Sequence, residues 1–124
     1  MRYMMIVKQA ENQGLPPKEL MAAIGGLSEE AVKAGTMVSS GGLLPTAQAA
    51  PVEIRGGKLT TTDGPFAEAK EVVGGFAIFE LNSMKEALEG AEKFMELHRK
   101  HWPGWEGVTE IRPMYGPGQM PPCQ

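Results

Sequence analysis

The feature that most constrains the fold is the run at residues 72–81, in which apolar side chains occupy both the even and the odd positions. A strand alternates its side chains between the two faces of a sheet, so this composition predicts a strand buried on both faces. The opening segment at residues 3–8 has the same two-sided character. Both strands therefore need cover above and below the sheet.

Two segments have the periodicity of amphipathic helices. The first follows Pro16 and Pro17, and its apolar residues recur at four- and three-residue spacing: Leu20, Ile24, Leu27, Ala31 and Ala34. The second begins at Ser83, which forms a capping box with Glu86, and its inward positions have the same spacing: Ala87, Ala91, Phe94 and His98. Pro103 cannot continue this helix.

The remaining segments complete an α+β pattern. Residues 36–44 and 108–114 read as strands, and residues 52–55 and 58–62 flank Gly56-Gly57 as a β-hairpin. The order predicts a ferredoxin-like βαββαβ core with an inserted hairpin. We expect one domain over residues 1–115, and a disordered tail rich in proline and glycine over residues 116–124.

Two helices can cover only one face of such a sheet. The other face would expose one set of alternate residues from each two-sided strand, and an exposed apolar face of that size marks an interface. The sequence therefore predicts a homodimer packed sheet to sheet.

Composition excludes several classes of protein. The formal charge of −3 is spread over mixed acidic and basic stretches, so no basic stripe is present for nucleic acid. The single cysteine, Cys123, excludes an internal disulfide framework. The opening apolar run is too short for a secretory core or a membrane span. We expect a cytoplasmic protein that contacts neither membrane nor nucleic acid.

The run at residues 61–71, which contains Asp63-Gly64-Pro65-Phe66, and the Gly74-Gly75-Phe76 that follows resemble the signature of the DGPF group of YCII-related proteins. The resemblance extends over about residues 1–115. It implies a dimeric α+β barrel, in which two ferredoxin-like subunits pack their sheets together and leave a pocket in each. Family members are mostly uncharacterised, and some are encoded beside alternative sigma factors.

The sequence differs from the pattern of the broader YCII group in one respect. The broader YCII group is proposed to use a histidine of the first helix with an aspartate on the following strand. Here residues 17–34 contain no histidine and residues 36–44 contain no aspartate. Any catalysis in this chain therefore needs other residues.

The Asp63-Gly64-Pro65 tripeptide is first of all a turn, because Asp bonds its own downstream backbone and Gly permits positive φ. A functional interpretation adds Glu68. If the bend brings both carboxylates to one rim, they form a pair in which one pKa is raised, suited to proton transfer. Solvated surface charges are the alternative.

His98 falls on the inward face of the second helix and is the third catalytic candidate beside Asp63 and Glu68. The alternative is a half-buried histidine stabilised at a helix C-terminus. Phe66 and Arg112 are the candidates for ligand contact. Arg112 either holds an anionic ligand or pairs with a neighbour such as Glu110.

Cofactor sites are weakly supported by the sequence. His98 and His101, three apart, could both reach one metal with Asp63 or Glu68, but no cysteine pair or HExxH pattern accompanies them. A strand follows the 74–75 glycine pair, where a nucleotide site requires a helix N-terminus. We therefore expect no cofactor and no metal.

Two functional hypotheses follow. In the first, the chain binds a small molecule near the DGPF segment, either as a cofactor-independent acid–base enzyme or as a binding protein. In the second, it is a non-catalytic interaction module, in which the dimer surface or the Trp102–Trp105 loop engages a partner such as a transcription factor. The two tryptophans are otherwise expected to anchor their loop or to contact the dimer partner.

Overall fold

A computed structural model describes residues 1–10, 13–61 and 71–119. In chain order its elements are β1 (Arg2–Gln9), α1 (Lys18–Lys33), β2 (Met37–Gly42), a short 3₁₀ turn (Thr46–Gln48), β3 (Val52–Arg55), β4 (Lys58–Thr61), β5 (Val72–Glu80), α2 (Met84–His101) and β6 (Gly107–Met114). The predicted elements are all present in the predicted order, with bounds that differ by one or two residues at their ends.

The main sheet has four strands in the order β2-β5-β1-β6, and every neighbouring pair is antiparallel. The first and third strands of the βαββαβ core therefore lie in the centre, which is the ferredoxin-like arrangement that the sequence predicts. β1 and β5 are the two strands with apolar side chains on both parities. Both strands lie in the centre of the sheet.

The core lies between the sheet and the helices. Tyr3, Met5 and Val7 alternate along β1 and are 5%, 7% and 8% exposed. Met5 packs with Ala77 of β5 and Ala91 of α2 in one buried cluster. The helices thus cover the face that carries the odd-numbered residues of β1.

Local signals at the start of α2 act as the sequence predicts. The Ser83 side chain accepts a hydrogen bond from the backbone N–H of Glu86 at 3.2 Å, and the Glu86 carboxylate accepts one from the N–H of Asn82 at 3.0 Å. These bonds satisfy donors that a helix start otherwise leaves unpaired. They fix the register of α2 and so determine which residues face the sheet.

The opposite face of the sheet, called the open face here, carries Met4 and Ile6 of β1 opposite Ile78 and Phe76 of β5. Among the described elements, no helix lies on this face. These apolar side chains are partly exposed, and the Phe76 ring lies over Gly41, where an added Cβ would come to 3.0 Å from Phe76 Cε1. The described elements thus cover the sheet on one side.

The predicted hairpin is confirmed as β3 and β4, which form a separate two-stranded sheet. Its turn residues Gly56 and Gly57 have φ of 57° and 78°, values that L side chains rarely adopt. The hairpin joins β2 to the part of the chain that precedes β5.

The C-terminal part is described as far as residue 119. There the backbone N–H of Gln119 donates to the carbonyl of Gly116 at 3.0 Å, closing a turn. Residues 120–124 lie outside the described residues, so the disorder expected for the tail stays a prediction. Within the described ranges, no helix has the length and apolar character needed to cross a membrane.

Candidate functional site

His98 lies on the inward face of α2 and is 6% exposed, as its spacing from Ala87, Ala91 and Phe94 predicts. Among the described residues it is the only buried side chain of a histidine, an acidic or a basic residue. The ring is held within the helical layer rather than at its solvent side.

Hydrogen bonding fixes the orientation of the His98 ring. Its Nδ1 lies 3.0 Å from the carbonyl oxygen of Phe94, one helical turn earlier. A carbonyl oxygen can only accept, so Nδ1 carries the proton and donates it, and Nε2 of the neutral ring keeps its lone pair. No buried side-chain nitrogen or oxygen of the described residues lacks a partner, so Nε2 reaches the accessible surface. That nitrogen is free to accept a proton.

An aromatic cluster surrounds this ring. The His98 centroid lies 4.6 Å from that of Phe94 and 4.4 Å from that of Trp105. Trp102 stacks on Trp105 at 6.0 Å with an interplanar angle of 29°. Such contacts stabilise ring pairs by about 0.5–1.5 kcal/mol beyond their burial. His98 is therefore restrained on two sides by carbon surface.

Trp105 is fixed from the end of β1. Its indole Nε1 donates to Oε1 of Gln9 at 3.3 Å. The Trp105 ring also packs against the backbone of Gly107, because an added Cβ there would overlap two of its ring carbons. Gln9 in turn lies against Gly74, where a Cβ would come to 3.1 Å from its amide carbon. A glycine at each of these positions lets the two side chains approach the backbone.

A second glutamine holds the loop between α2 and β6. The side-chain amide of Gln13 donates to the carbonyl of Glu106 at 2.8 Å, and its oxygen accepts from the N–H of Glu106 at 3.0 Å. These two hydrogen bonds have the same donor and acceptor arrangement as a hydrogen-bonded residue pair in an antiparallel sheet. Sequence reasoning missed Gln9 and Gln13, since a polar residue after a strand is ordinary loop composition, and only the fold brings them to residues 105–106.

The described chain resumes at residue 71, after the DGPF segment, at the same end of the sheet. Val72 and Gly107 are the register partners of Gln9 on its two sides. Glu71, the first described residue after the gap, is close enough to Lys8 to help raise the pKa of its ammonium group. Asp63, Phe66 and Glu68 lie outside the described residues, so their distances to His98 stay untested.

Arg112 lies on the open face, in register with Met4. Its side chain is 69% exposed, and its Nε is 3.6 Å from Oε2 of Glu110. The pairing with Glu110 is thus present, and the contact of Arg112 with an anionic ligand stays a prediction. Since His98 lies in the helical layer on the other side of the sheet, a single chain does not bring His98 and Arg112 into one cavity.

Glu110 also binds Lys8, whose Nζ is 2.7 Å from its Oε1. Accepting this hydrogen bond lowers the pKa of the Glu110 carboxyl, and donating it raises the pKa of Lys8. Both groups are thus held in their charged forms at neutral pH. Lys8, Glu110 and Arg112 thus form a row of alternating charges on the open face, beside its apolar centre.

The described residues contain no group of three or more histidine, cysteine or acidic side chains that could hold a metal ion. In that part of the chain, no third metal ligand accompanies His98 and His101. An open groove of about 920 Å³ lies between α1 and α2, away from His98. Its lining mixes apolar and charged residues: Ala23, Gly26, Leu27, Glu30, Glu89, Glu92, Lys93, Glu96 and Leu97.

Fold and site together define a ferredoxin-like α+β protein with one restrained histidine at a sheet end. The model of the YCII-related domain family matches residues 1–97, so the chain belongs to the YCII-related family. It is also 31% identical over 106 residues to an uncharacterised protein, R00369, of Rhizobium meliloti (strain 1021), covering 84% of this chain and 82% of that one. Asp63, Phe66 and Glu68 fall inside the matched range, and His98 and Arg112 lie beyond it.

Proposed function

We propose that this YCII-related protein binds a small molecule at the end of the sheet beside His98 and acts on it by cofactor-independent acid–base chemistry. The observation that carries the proposal is the His98 ring, which is 6% exposed, anchored through Nδ1 and open at Nε2. A histidine oriented in this way can take a proton from a ligand without reorganising first.

The carboxylates of the DGPF segment are the proposed partners of His98. Glu68 precedes Glu71 by three residues in the sequence, and Glu71 leads into the register position opposite Gln9. A chain advances at most about 3.6 Å per residue, and this short separation is compatible with the proposed approach of the Glu68 carboxylate to the sheet end where Gln9 holds Trp105. In the proposal, Asp63 and Glu68 hold and exchange a proton with the ligand, and Phe66 supplies an apolar wall.

The proposed active form is a cytoplasmic homodimer that packs open face to open face. Apolar residues at the centre of this face and alternating charges beside it favour a self-complementary contact, because Lys8 or Arg112 of one chain can meet Glu110 of the other. In such a dimer Arg112 faces the partner subunit. Its proposed contact with an anionic ligand then belongs to the dimer interface and is separate from the site beside His98.

The proposal is tested by NMR, because the chain has only two histidines. The Cε1–Hε1 resonances of His98 and His101 are assigned with His101→Gln, and a panel of small organic acids and keto acids is titrated into the protein. A ligand should shift the His98 resonance at concentrations that leave His101 unchanged. Asp63→Asn and Glu68→Gln should each weaken that binding at least tenfold.

Glu19→Gln serves as the matched control, since Glu19 is an exposed carboxylate in the first turn of α1. Its affinity for the ligand should equal that of the wild type. Binding that shifts neither histidine, or that survives both Asp63→Asn and Glu68→Gln, would refute the proposed site.

A non-catalytic interaction module is the second candidate function. The uncovered open face favours it, because apolar residues and a charge row on one surface are also what a protein partner would contact. Recovery of one stoichiometric partner whose binding is lost in Ile6→Glu, together with unchanged histidine resonances in every ligand titration, would favour this function over the first.

A further inference from the structure

The β3–β4 hairpin, called the arm here, carries large apolar side chains in solvent. Val52, Ile54 and Leu59 are 63%, 74% and 69% exposed. They occupy the two short strands of a separate sheet rather than the main sheet. Single exposed apolar residues are common, but three on one small element need a physical reason.

The register of the arm places these residues together. Ile54 is opposite Leu59 and Val52 is opposite Thr61, so they share one face. The other face carries the charged residues Arg55 and Lys58. The arm is therefore amphipathic, as a strand pair is when one of its faces is covered.

The main sheet does not provide that cover. Within the described residues, β3 and β4 make their extensive contacts only with each other, and their ladder is not continued by β2 or β5. An isolated two-stranded hairpin is at best marginally stable in water. We therefore expect the apolar face of the arm to pack against another surface, one that is present whenever the chain is folded.

We propose that this surface is a second copy of the chain, and that the arm embraces the partner subunit next to the open face. The inference rests on the homodimer in the proposed function. Support comes from exposed apolar residues at the sheet end from which the chain leaves β2 toward the arm. Leu43 follows β2, is 52% exposed, and its backbone N–H donates to the carbonyl of Gly74 in β5. At the same sheet end, Val73 and Val108 flank Lys8 on the open face and are 41% and 51% exposed.

The area required by a stable dimer also supports the arm as part of the interface. A specific interface covers about 800 Å² on each partner. The partly exposed apolar residues at the centre of the open face offer on the order of 200 Å², taking roughly 150 Å² for a large side chain. The three residues of the arm add roughly 300 Å² on the same basis. The apolar centre of the open face supplies only part of the area of a specific interface, and the arm more than doubles that apolar contribution.

The first test is the dissociation constant of the dimer, measured by sedimentation equilibrium. The double variant Ile54→Ser/Leu59→Ser should raise this constant at least about 100-fold, because two large side chains lose their burial. Arg55→Ser/Lys58→Ser changes the neighbouring positions on the opposite face and should raise it less than about threefold. Circular dichroism and the His98 resonance should be unchanged in both, since the arm is separate from the core.

The second test is photocrosslinking from the arm. With p-benzoylphenylalanine at position 54, irradiation of the full-length protein should give a covalent dimer on a denaturing gel, and the same residue at position 58 should give little. A second outcome is a dimeric wild-type protein in which position 54 crosslinks only within its own chain and Ile54→Ser/Leu59→Ser dimerises normally. This outcome would refute the proposed contact of the arm with the partner subunit and leave the open-face dimer intact. A protein that is monomeric at every concentration would overturn both, while the ligand titration at His98 is decided separately.

Discussion

Gly107→Ala is the substitution whose effect follows most directly from the geometry of the site. Gly107 is the first residue of β6, and its φ is not in the left-handed region, so alanine fits the backbone. The added Cβ would nevertheless overlap Cη2 and Cζ2 of Trp105 and lie 2.8 Å from the backbone oxygen of Lys8. The tryptophan can move, but the Lys8 oxygen belongs to the β1–β6 ladder and cannot move freely.

The magnitude has two contributions. Overpacking a methyl group against backbone costs about 1–3 kcal/mol. Displacing Trp105 also weakens its contacts with His98 and Trp102, each of which contributes about 0.5–1.5 kcal/mol. We expect the free energy of unfolding to fall by about 2–4 kcal/mol. With a denaturant slope of about 2 kcal/mol per molar urea, the midpoint falls by about 1–2 M.

Tryptophan fluorescence during urea unfolding is the assay, because both tryptophans of the chain lie in this cluster. Gly90→Ala is the matched control. Gly90 is exposed on α2 with no atom within 4 Å of the added Cβ, so the variant should be about 1 kcal/mol more stable. Protein concentration is held constant, since dimerisation shifts apparent stability. A Gly107→Ala midpoint equal to that of the wild type would refute the steric argument and with it the rigid placement of Trp105.

Three further predictions concern other contacts. Gln13→Ala removes both bonds to Glu106, so stability should fall by about 1–2 kcal/mol and amide exchange at Glu106 should accelerate about tenfold, as hydrogen exchange would show. Ser83→Ala removes the cap of α2 and should cost about 1 kcal/mol in urea unfolding; an unchanged midpoint would contradict the cap. The pKa of Glu110 is lowered from its usual 4.5 by its hydrogen bond from Lys8, so its contribution is present above about pH 4.5 and lost as the pH falls through the folded value. Glu110→Gln should therefore show a shallower loss of stability below pH 4.5 in acid titrations followed by circular dichroism.

The sequence predicted the elements well because their signals are local. The capping box at Ser83 and the glycine pair in the hairpin each determine backbone conformation within a few residues. The inward position of His98 followed in the same way, from helical spacing alone. The DGPF segment could be recognised but not placed, since a turn signal does not state which elements its charged neighbours will meet.

The sequence could not predict how residues distant in the chain meet at the end of the sheet. Trp105 bonds to Gln9 across 96 residues, and Glu106 bonds to Gln13 across 93. These pairs exist because antiparallel β1 and β6 run in register. No periodicity in either segment encodes that register.

By itself, the sequence determined the order of strands and helices, the burial of one face of each helix and the two-sided character of β1 and β5. These properties follow from the period of each element and the polarity of its side chains. Only the tertiary structure decided that His98 and Arg112 lie on opposite sides of the sheet, that two glutamines secure the Trp105 loop, and that the arm stands apart from the sheet. These outcomes depend on strand pairing, which brings together residues that are far apart along the chain.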